Sequence, residues 1–392
     1  MQRIMDIVAE ETGGKSFNSI KYRYDSVNAP KADYDDPFDN REWLGNGETK
    51  LQKEPVDCLA MAKQLSENNI EPIFKYFLDG SRHAYHVDDI AYNHNVFPVI
   101  AGQAGVACCR RENRKLRLEH FSSGEPTMIN HTVLSMPKDC DQDGHHTDAY
   151  LEKLKNKINA SPTLARLEIN IAKVLVYKTD RTVDAKFEDR GIAAVQDYMS
   201  DAEKGMVDRL AKAGMLSQNA YLVKDGSLEY IPLLSGNYRD IWNFRESYRW
   251  VVGVSKKFNP EHCRDKNNKP NADKLIDLLE GYRTPVMLFK NSRIDRLLFA
   301  VWYLRLRGID KTRNPFDGVV KVEKILLNDD ADSPKKLETE DVDMITATLL
   351  NERNPACYGS DLRYANHIYP VYLTESFIKS NYMSDELLIQ MF

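Results

Sequence analysis

The chain has 392 residues, of which 42% are hydrophobic and 29% charged, and its formal net charge is −5. This length suits one elaborated domain or two domains, and the apolar fraction is sufficient for a large core. A membrane-spanning helix needs about 18 consecutive apolar residues, and no such run is present. Six scattered cysteines without a CxxC pair disfavour a disulfide framework or a thiolate zinc site. We therefore expect a cytoplasmic protein, without a signal peptide.

The first third of the chain predicts an extension followed by a sheet. Residues 1–70 are polar and turn-rich, with one helix predicted at 56–67. Residues 71–137 predict a strand, a hairpin and further strands, one of them at 132–136. The acidic run 139–148 lacks the terminal Glu of an EF-hand, so we interpret it as a surface loop.

Residues 149–219 predict helices at 150–158, 164–177 and 190–210, because apolar residues recur there at helical spacing. The third helix carries Glu203 at the edge of its apolar stripe. At this position the side chain is either solvated or reaches past the core face toward a neighbouring sheet.

Residues 220–330 return to strand patterns, and an acidic, Pro-containing linker at 329–334 follows. The predicted strands are 220–224, 248–256, 285–290, 297–307 and 319–326, and the predicted helices are 272–280, 340–350 and one near the C-terminus.

Two of the predicted strands run into the same tripeptide, Asp-Gly-Ser, at 79–81 and 225–227. Asp-Gly is a common turn dipeptide, so either copy alone is consistent with a hairpin turn. The Gly either ends the strand or lets another backbone or a ligand approach closely. If the two strands are neighbours, Asp79 and Asp225 converge, and two converging carboxylates form a hard-oxygen site for Mg²⁺ or Mn²⁺.

Basic clusters occur at 110–117, at 256–257 and at 305–307. Each is either a solvated face or a nucleic-acid contact. The strand predicted at 297–307 places Tyr303, Arg305 and Arg307 on one face, and an aromatic beside two arginines suits a nucleic-acid strand.

The order of these motifs resembles the NurA nuclease family. The resemblance is carried by Asp-Gly-Ser after a first strand, a Glu-bearing helix, a second Asp-Gly-Ser-Leu, a Val-Gly-Val-Ser-Lys strand and a late His-x-x-Pro. It implies an α/β fold with a ribonuclease H-like mixed sheet flanked by helices. In this division, 1–70 is an N-terminal extension, 71–330 is the core with a helical segment at 149–219, and 331–392 completes the core.

The resemblance also implies an activity and a set of site residues. The expected protein is a DNA nuclease that uses Mn²⁺ or Mg²⁺ in a two-metal mechanism. It would act as a homodimer with a HerA-like hexameric ATPase, in DNA end processing or anti-phage defence. The expected metal ligands are Asp79, Glu203, Asp225 and His367, with Asp197 and Asp201 as alternatives for the helix acid. The expected catalytic lysine is Lys256, and the basic residues expected to contact DNA are Arg82, Lys257, Arg305 and Arg307.

These residue types suit phosphodiester hydrolysis, because carboxylates hold metal ions that activate water and neutralise a phosphate, while a lysine stabilises developing charge. No Gly-x-Ser-x-Gly surrounds Ser81 or Ser227, which disfavours serine hydrolysis. No Walker A loop is present, so ATP-driven motion requires a partner. Two alternatives stay open at this point: a catalytically silent ribonuclease H-like module that binds DNA or regulates a motor, and a Piwi-like effector acting on RNA.

Overall fold

The computed structural model describes most of the chain. The described residues are 3–24, 41–140, 148–180, 186–228, 243, 246–265, 267, 269–291, 297–312, 314–326, 335–353 and 364–392. They form an α/β structure in which helices flank a 15-stranded mixed sheet. Within this part of the chain, no helix is both long enough and apolar enough to cross a membrane.

The strands are β1 (Lys15–Ser16), β2 (Tyr22–Arg23), β3 (Arg41–Asn46), β4 (Val56–Asp57), β5 (Phe74–Tyr92), β6 (Asn95–Glu112), β7 (Lys115–Leu118), β8 (Met128–Pro137), β9 (Ile171–Tyr177), β10 (Tyr221–Asp225), β11 (Val251–Ser255), β12 (Tyr282–Arg283), β13 (Met287–Asn291), β14 (Leu298–Arg305) and β15 (Val319–Leu326). The helices are α1 (Ile4–Thr12), α2 (Leu59–Glu67), α3 (Asp148–Asn159), α4 (Pro162–Leu167), α5 (Phe187–Lys212), α6 (Asp273–Ile276), α7 (Thr339–Asn351), α8 (Tyr369–Ser380) and α9 (Asp385–Met391).

The sheet is built around β5. Strands β5, β6 and β8 form an antiparallel meander on one side. On the other side, β10 pairs with β5 in parallel, and β11 pairs with β10 in parallel. The main path of the sheet runs β3-β13-β14-β15-β11-β10-β5-β6-β8-β9, so β10 and β11 are interior strands.

Tight turns keep the meander in register. Asn93 and His94, which join β5 to β6, have φ values of 44° and 67°. Asn113 and Arg114 repeat this geometry between β6 and β7, with φ values of 48° and 64°. Left-handed turns of two residues match the twist of the strands that they connect. Strand β5 runs for 19 residues, with one register shift against β6 between His86 and Asp88, and Gly80 lies inside the strand instead of ending it.

The two faces of the sheet are buried by different helices. Phe77, Val223 and Trp302 belong to a cluster that α2, α7 and α8 cover, while Leu78 and Leu222 belong to a cluster that α5 covers. Side chains of a strand alternate between faces. Position along each strand therefore decides which helices a side chain meets.

Several predicted elements are confirmed: α3, α5, α7, β8 and β15 each cover the predicted segment. The predicted helix at 164–177 is wrong in its second half, because α4 ends at Leu167 and residues 171–177 form β9, parallel to β8. Pairing with the meander edge outweighs the helical spacing there, and the Ile and Val residues of β9 favour a strand. The helices predicted at 56–67 and 272–280 are shorter in the structure, at Leu59–Glu67 and Asp273–Ile276.

The segment predicted as an extension contributes strands to the same sheet. Strands β1 and β2 pair with β5, β3 pairs with β13, and β4 pairs with β12. The acidic loop at 139–148 lies outside the described residues over 141–147, and the linker at 329–334 lies outside them entirely.

Candidate active site at the ends of parallel strands

Asp79 and Asp225 lie on neighbouring parallel strands. Val223 of β10 pairs with Phe77 of β5, and Lys224 pairs with Leu78, so the two aspartates occupy the next position of this register. The two Asp-Gly-Ser strands are thus neighbours, which meets the condition under which the sequence brings Asp79 and Asp225 together. Because Asp225 is the last residue of β10, its side chain stands where that strand opens into a loop.

Strand alternation gives both aspartates and Lys256 a common face. The residue two positions before each of them lies in the cluster covered by α7 and α8; these residues are Phe77, Val223 and Val254. Asp79, Asp225 and Lys256 therefore point toward that cluster's side of the sheet. The Nζ atom of Lys256 lies 3.1 Å from Oδ1 of Asp225.

The Asp79 carboxyl group is buried, with 4% of the residue exposed. Its Oδ1 accepts a hydrogen bond of 2.8 Å from the backbone N–H of Gly80. Its Oδ2 is buried and has no hydrogen-bond partner among the described residues. Burial, and next the charge of Asp225, raise the pKa of Asp79 well above its usual range, although Lys256 opposes the shift. Such a group is stabilised by gaining a proton or a cation.

Lys256 lies among several carboxylates. Burial acts to lower its pKa, but Asp225, Asp79 and Glu375 together outweigh burial and raise it. The ammonium group therefore stays charged at neutral pH. Glu375 comes from α8 and also forms an ion pair of 2.7 Å with Lys379. The sequence analysis missed Glu375, and the available signal was its position beside the buried α8 stripe of Val371, Thr374 and Ile378.

Glu203 approaches from the opposite face, where α5 packs. A Cβ atom at position 80 would lie 2.3 Å from Oε1 of Glu203, so the first motif requires Gly for this contact. The Oε2 atom of Glu203 lies 3.0 Å from Nζ of Lys224. Burial raises the pKa of Glu203, although Lys224 opposes the shift. Of the three candidate helix acids, only Glu203 is buried, since Asp197 and Asp201 are exposed.

The second motif is held by an acid of β15. Gly226 has a φ of 85°, a conformation that favours glycine. The Ser227 hydroxyl and the Leu228 N–H both donate to Oε2 of Glu323, at 2.7 and 2.6 Å. Burial acts to raise the pKa of Glu323, but Lys321 and these donors outweigh burial and lower it. Ser227 therefore anchors the turn that follows Asp225.

His367 lies in a segment that reaches the same end of the sheet. The side-chain amide of the preceding residue, Asn366, donates to the backbone carbonyls of Lys256 and Val319, at 3.2 and 2.9 Å. The His367 ring is buried and stacks on Tyr372, with ring centroids 5.0 Å apart. The structure thus brings the His367 backbone close to Lys256 and gives its ring a partner on α8.

The predicted basic face on β14 is wrong. Arg305 is fully buried, because β14 is an interior strand with helices and loops over it. Its guanidinium donates to the backbone carbonyls of Leu275, Ile276, Pro315 and Asp317. Arg307 is also buried, with 9% exposed. Neither arginine lies on a surface that DNA could reach in this conformation.

The other two basic residues expected at DNA are more accessible. Lys257 is exposed and follows Lys256 directly. Arg82 is partly buried, three residues after Asp79, and its Nε donates to Oε1 of Gln196 on α5 at 2.6 Å. Lys257 is therefore the more solvent-exposed of the two.

Within the described ranges, no group of three or more His, Cys, Asp and Glu side chains is arranged to hold a metal ion. Asp79 and Asp225 form a pair of carboxylates. Neither Glu203 nor His367 joins them to make a group of three potential metal ligands in the described structure. Mg²⁺ is commonly held by one or two carboxylates together with water and substrate phosphates. A buried carboxylate oxygen without a partner at Asp79 fits one hard cation whose remaining ligands come from outside the chain.

No protein-family model matches the chain, and no curated protein sequence is detectably similar to it. The fold and the site define an α/β protein in which Asp225 and its ion-pair partner Lys256 stand at the ends of the parallel strands β10 and β11, beside the buried Asp79 of β5. A buried carboxylate without a full set of partners can accept a cation, and a lysine beside it supplies positive charge; both features suit a phosphate-containing substrate.

Proposed function

We propose that this protein is a divalent-metal-dependent deoxyribonuclease that hydrolyses phosphodiester bonds at Asp79 and Asp225. The observation that carries the proposal is the position of these two carboxylates on adjacent parallel strands, one of them buried with an oxygen that lacks a partner in the described structure. The order of motifs that resembles the NurA family supports the same activity.

The proposed fold is ribonuclease H-like. A meander that opens with the Asp-bearing strand β5, continues through β6 and β8, and is followed by parallel strands β10 and β11 supports this assignment. The helix between the meander and β10 carries Glu203 against Gly80, next to the first aspartate.

The proposed cofactor is Mn²⁺ or Mg²⁺, which when bound activates water and neutralises negative charge on a phosphate. Asp79 and Asp225 would hold the ion, whereas Glu203 lies on the opposite face of the sheet, where it is paired with Lys224. Lys256, which stays charged, would contact the scissile phosphate or a neighbouring one. We assign His367 no step, because its ring stacks on Tyr372.

The proposed partners follow from the resemblance. They are DNA, a second copy of the chain, and a HerA-like hexameric ATPase that supplies movement along DNA. The lack of a Walker A loop in the sequence agrees with an external motor. The proposed setting is DNA end processing or anti-phage defence in the cytoplasm.

The test is cleavage of end-labelled linear DNA and closed circular DNA in Mn²⁺, Mg²⁺ or EDTA. Wild type should degrade DNA only with a metal, and Asp79→Asn should lose this activity. Asp197→Asn, which removes an exposed acid of α5, serves as the matched control and should cleave normally. Undiminished cleavage by Asp79→Asn would show that the active site is elsewhere.

A second candidate is a catalytically silent module that binds DNA or regulates the motor. One observation favours it: Asp225 and Glu203 already have lysine partners, Lys256 and Lys224, at 3.1 and 3.0 Å. This candidate predicts binding of DNA or of the ATPase without cleavage in any metal. Cleavage that Asp79→Asn abolishes would rule it out.

A further inference from the structure

The carboxylate pair alone offers little net negative charge to a divalent cation. Lys256 lies 3.1 Å from Asp225, so its positive charge offsets one of the two carboxylates. Glu203 of α5 does not make up the difference, because it lies on the opposite face of the sheet and pairs with Lys224. Cation affinity depends on the number of charged ligands. A further acid on the face of Asp79 and Lys256 would therefore strengthen cation binding.

Helix α8 packs over this face of the sheet, against β5, β6 and β10. Two contacts fix its position along β6. Burial raises the pKa of the Cys109 thiol, and a hydrogen bond from Thr374 of α8 opposes the shift. One turn later on α8, Ile378 lies over Gly105, where a Cβ atom would be 2.4 Å from its side chain. The middle of α8 therefore crosses β6 between Cys109 and Gly105.

These two contacts lie on either side of Asp79. On β5, Phe77 pairs with Cys109 and Ser81 pairs with Gly105. Asp79 lies midway between Phe77 and Ser81, and alternation along the strand gives all three side chains the same face. The residues of α8 that follow Thr374 are therefore at the level of the Asp79 carboxyl group.

Glu375 lies on the flank of α8 that faces β10. The other flank carries Leu373, which lines a groove together with Leu116 of β7. Two residues apart on an α-helix, Leu373 and Glu375 are separated by about 200° around its axis. Strand β10 lies on the side of β5 away from β6 and β7. Glu375 is therefore directed toward the strand that ends in Asp225.

The charge of Glu375 acts on the site from this position. Burial acts to lower the pKa of Lys256, and Glu375 is one of three acids that together outweigh burial and raise it. After burial and the charge of Asp225, Glu375 also contributes to the raised pKa of Asp79. Both effects agree with the position that the packing of α8 gives to Glu375.

The ion pair that Glu375 forms is a weak competitor for a cation. Its partner is Lys379, one turn further along α8, whose side chain is 43% exposed. An ion pair with a solvent-exposed partner contributes little to stability. In the present conformation Glu375 does not join Asp79 and Asp225 in a ligand group of the described residues. A change of partner from Lys379 is therefore required, and it costs little.

We propose that Glu375 is the third acid of the cation site and leaves Lys379 when Mn²⁺ or Mg²⁺ binds at Asp79 and Asp225. This inference rests on the proposed function and adds a residue to its cation site. The buried Oδ2 atom of Asp79, which has no hydrogen-bond partner in the described structure, is an acceptor that a cation can satisfy. Three carboxylates beside one lysine carry a net charge that matches a divalent cation in magnitude.

The experiment measures binding of Mn²⁺ alone to the full chain, without DNA, from the electron paramagnetic resonance signal of free Mn²⁺. Glu375→Gln keeps the shape of the side chain and removes its charge. It should bind Mn²⁺ about 10- to 100-fold more weakly than the parent protein, the range for loss of a group that supports a metal site. The position is partly exposed on α8, so the variant should fold like the parent protein.

Two variants separate the acid from its ion pair. Lys379→Gln breaks the same pair and leaves the Glu375 carboxylate in place. It should bind Mn²⁺ at least as tightly as the parent protein, because the competing ammonium group is gone. Glu340→Gln, which breaks an exposed pair with Lys50 on α7, should bind Mn²⁺ like the parent protein. A purely structural role of the Glu375–Lys379 pair predicts instead that both of its partners weaken binding alike.

The inference is overturned if Glu375→Gln binds Mn²⁺ like the parent protein, if Lys379→Gln loses affinity to the same extent, or if the parent protein does not bind Mn²⁺. Its failure is distinct from failure of the nuclease proposal. Metal-dependent cleavage that Asp79→Asn abolishes, with normal Mn²⁺ binding by Glu375→Gln, would remove the role of Glu375 alone. Mn²⁺ binding that depends on Glu375, without cleavage of DNA in any metal, would remove the nuclease alone.

Discussion

The Asp79 carboxyl group is buried, and its Oδ2 has no hydrogen-bond partner in the described structure. This environment determines how its protonation affects the stability of the fold. Burial raises its pKa above the value of the unfolded chain. The folded state therefore holds this proton more tightly, and that contribution to stability is complete at low pH and is lost as pH rises through the folded-state pKa.

In metal-free protein at a pH above the folded-state pKa of Asp79, where this carboxyl group is ionised, Asp79→Asn should therefore raise the free energy of unfolding by about 1–3 kcal/mol, because it removes a poorly compensated buried charge. Denaturant unfolding in EDTA measures this. Asp225→Asn should have the opposite sign, because it leaves Lys256 without its partner at 3.1 Å. Equal destabilisation by both variants would contradict this account of Asp79.

Gly80 leaves no room for a side chain on the face of β5 that meets Glu203. Gly80→Ala should destabilise the fold by about 1–3 kcal/mol, because the new Cβ atom overlaps the buried Glu203 carboxylate. Gly205→Ala on α5 is the matched control, since nothing lies within 4 Å of its Cβ position. This control should stabilise the helix by about 0.5–1 kcal/mol. A thermal-unfolding series that ranks the two variants the other way would disprove the packing argument.

The sequence predicted the two aspartates because a repeated tripeptide after strand-forming residues is a local pattern. It missed Glu375, whose charge acts on Asp79 and Lys256 because α8 packs across β5 and β6. The expectation that Arg305 is exposed was also wrong. Alternation along a strand indicates which side chains share a face, but it does not indicate whether other elements cover that face.

At the scale of the element, the loop after β10 depends on one acid of β15. Glu323 is fully buried and accepts hydrogen bonds from both Ser227 and Leu228. The loop passes close over β11, since a Cβ atom at Gly253 would lie 2.7 Å from Leu228. Glu323 and Gly253 together hold the second motif against its neighbouring strand.

Glu323→Gln should loosen this loop, because an amide accepts more weakly than a carboxylate and because the change breaks the ion pair with the buried Lys321. Breaking a buried ion pair costs about 3–5 kcal/mol. Hydrogen exchange should become faster at residues 227 and 228. Glu125→Gln, which breaks an exposed pair with Arg209, should change stability by less than about 1 kcal/mol and leave that exchange unchanged. Unaltered protection in Glu323→Gln would argue against the anchor.

The secondary structure predicted from the sequence was wrong where pairing with a neighbouring strand determined the structure. Residues 171–177 carry Ile and Val residues that suit either an apolar helix face or a strand, and the open edge of β8 selects the strand. The helix predicted at 190–210 held because its apolar spacing persists over many turns and α5 packs its whole length on the meander.

At the scale of the whole molecule, the strand order places the two motifs side by side although 145 positions separate Asp79 from Asp225 in the chain. A crossover that contains α5 returns the chain to the other side of β5, as a parallel pair of strands requires. No local pattern in the sequence encodes that return.

Binding of a cation at this site should therefore raise the free energy of unfolding of the whole protein. Mn²⁺ at about 100 times its dissociation constant should raise the free energy of unfolding by about 2.7 kcal/mol. Asp79→Asn should abolish this gain, whereas Asp197→Asn, on the exposed side of α5, should keep it. Because burial raises the pKa of Asp79, the cation has to displace a proton, and the gain should shrink as pH falls. Thermal unfolding across pH, with and without Mn²⁺, measures this, and a gain that survives Asp79→Asn would place the cation elsewhere.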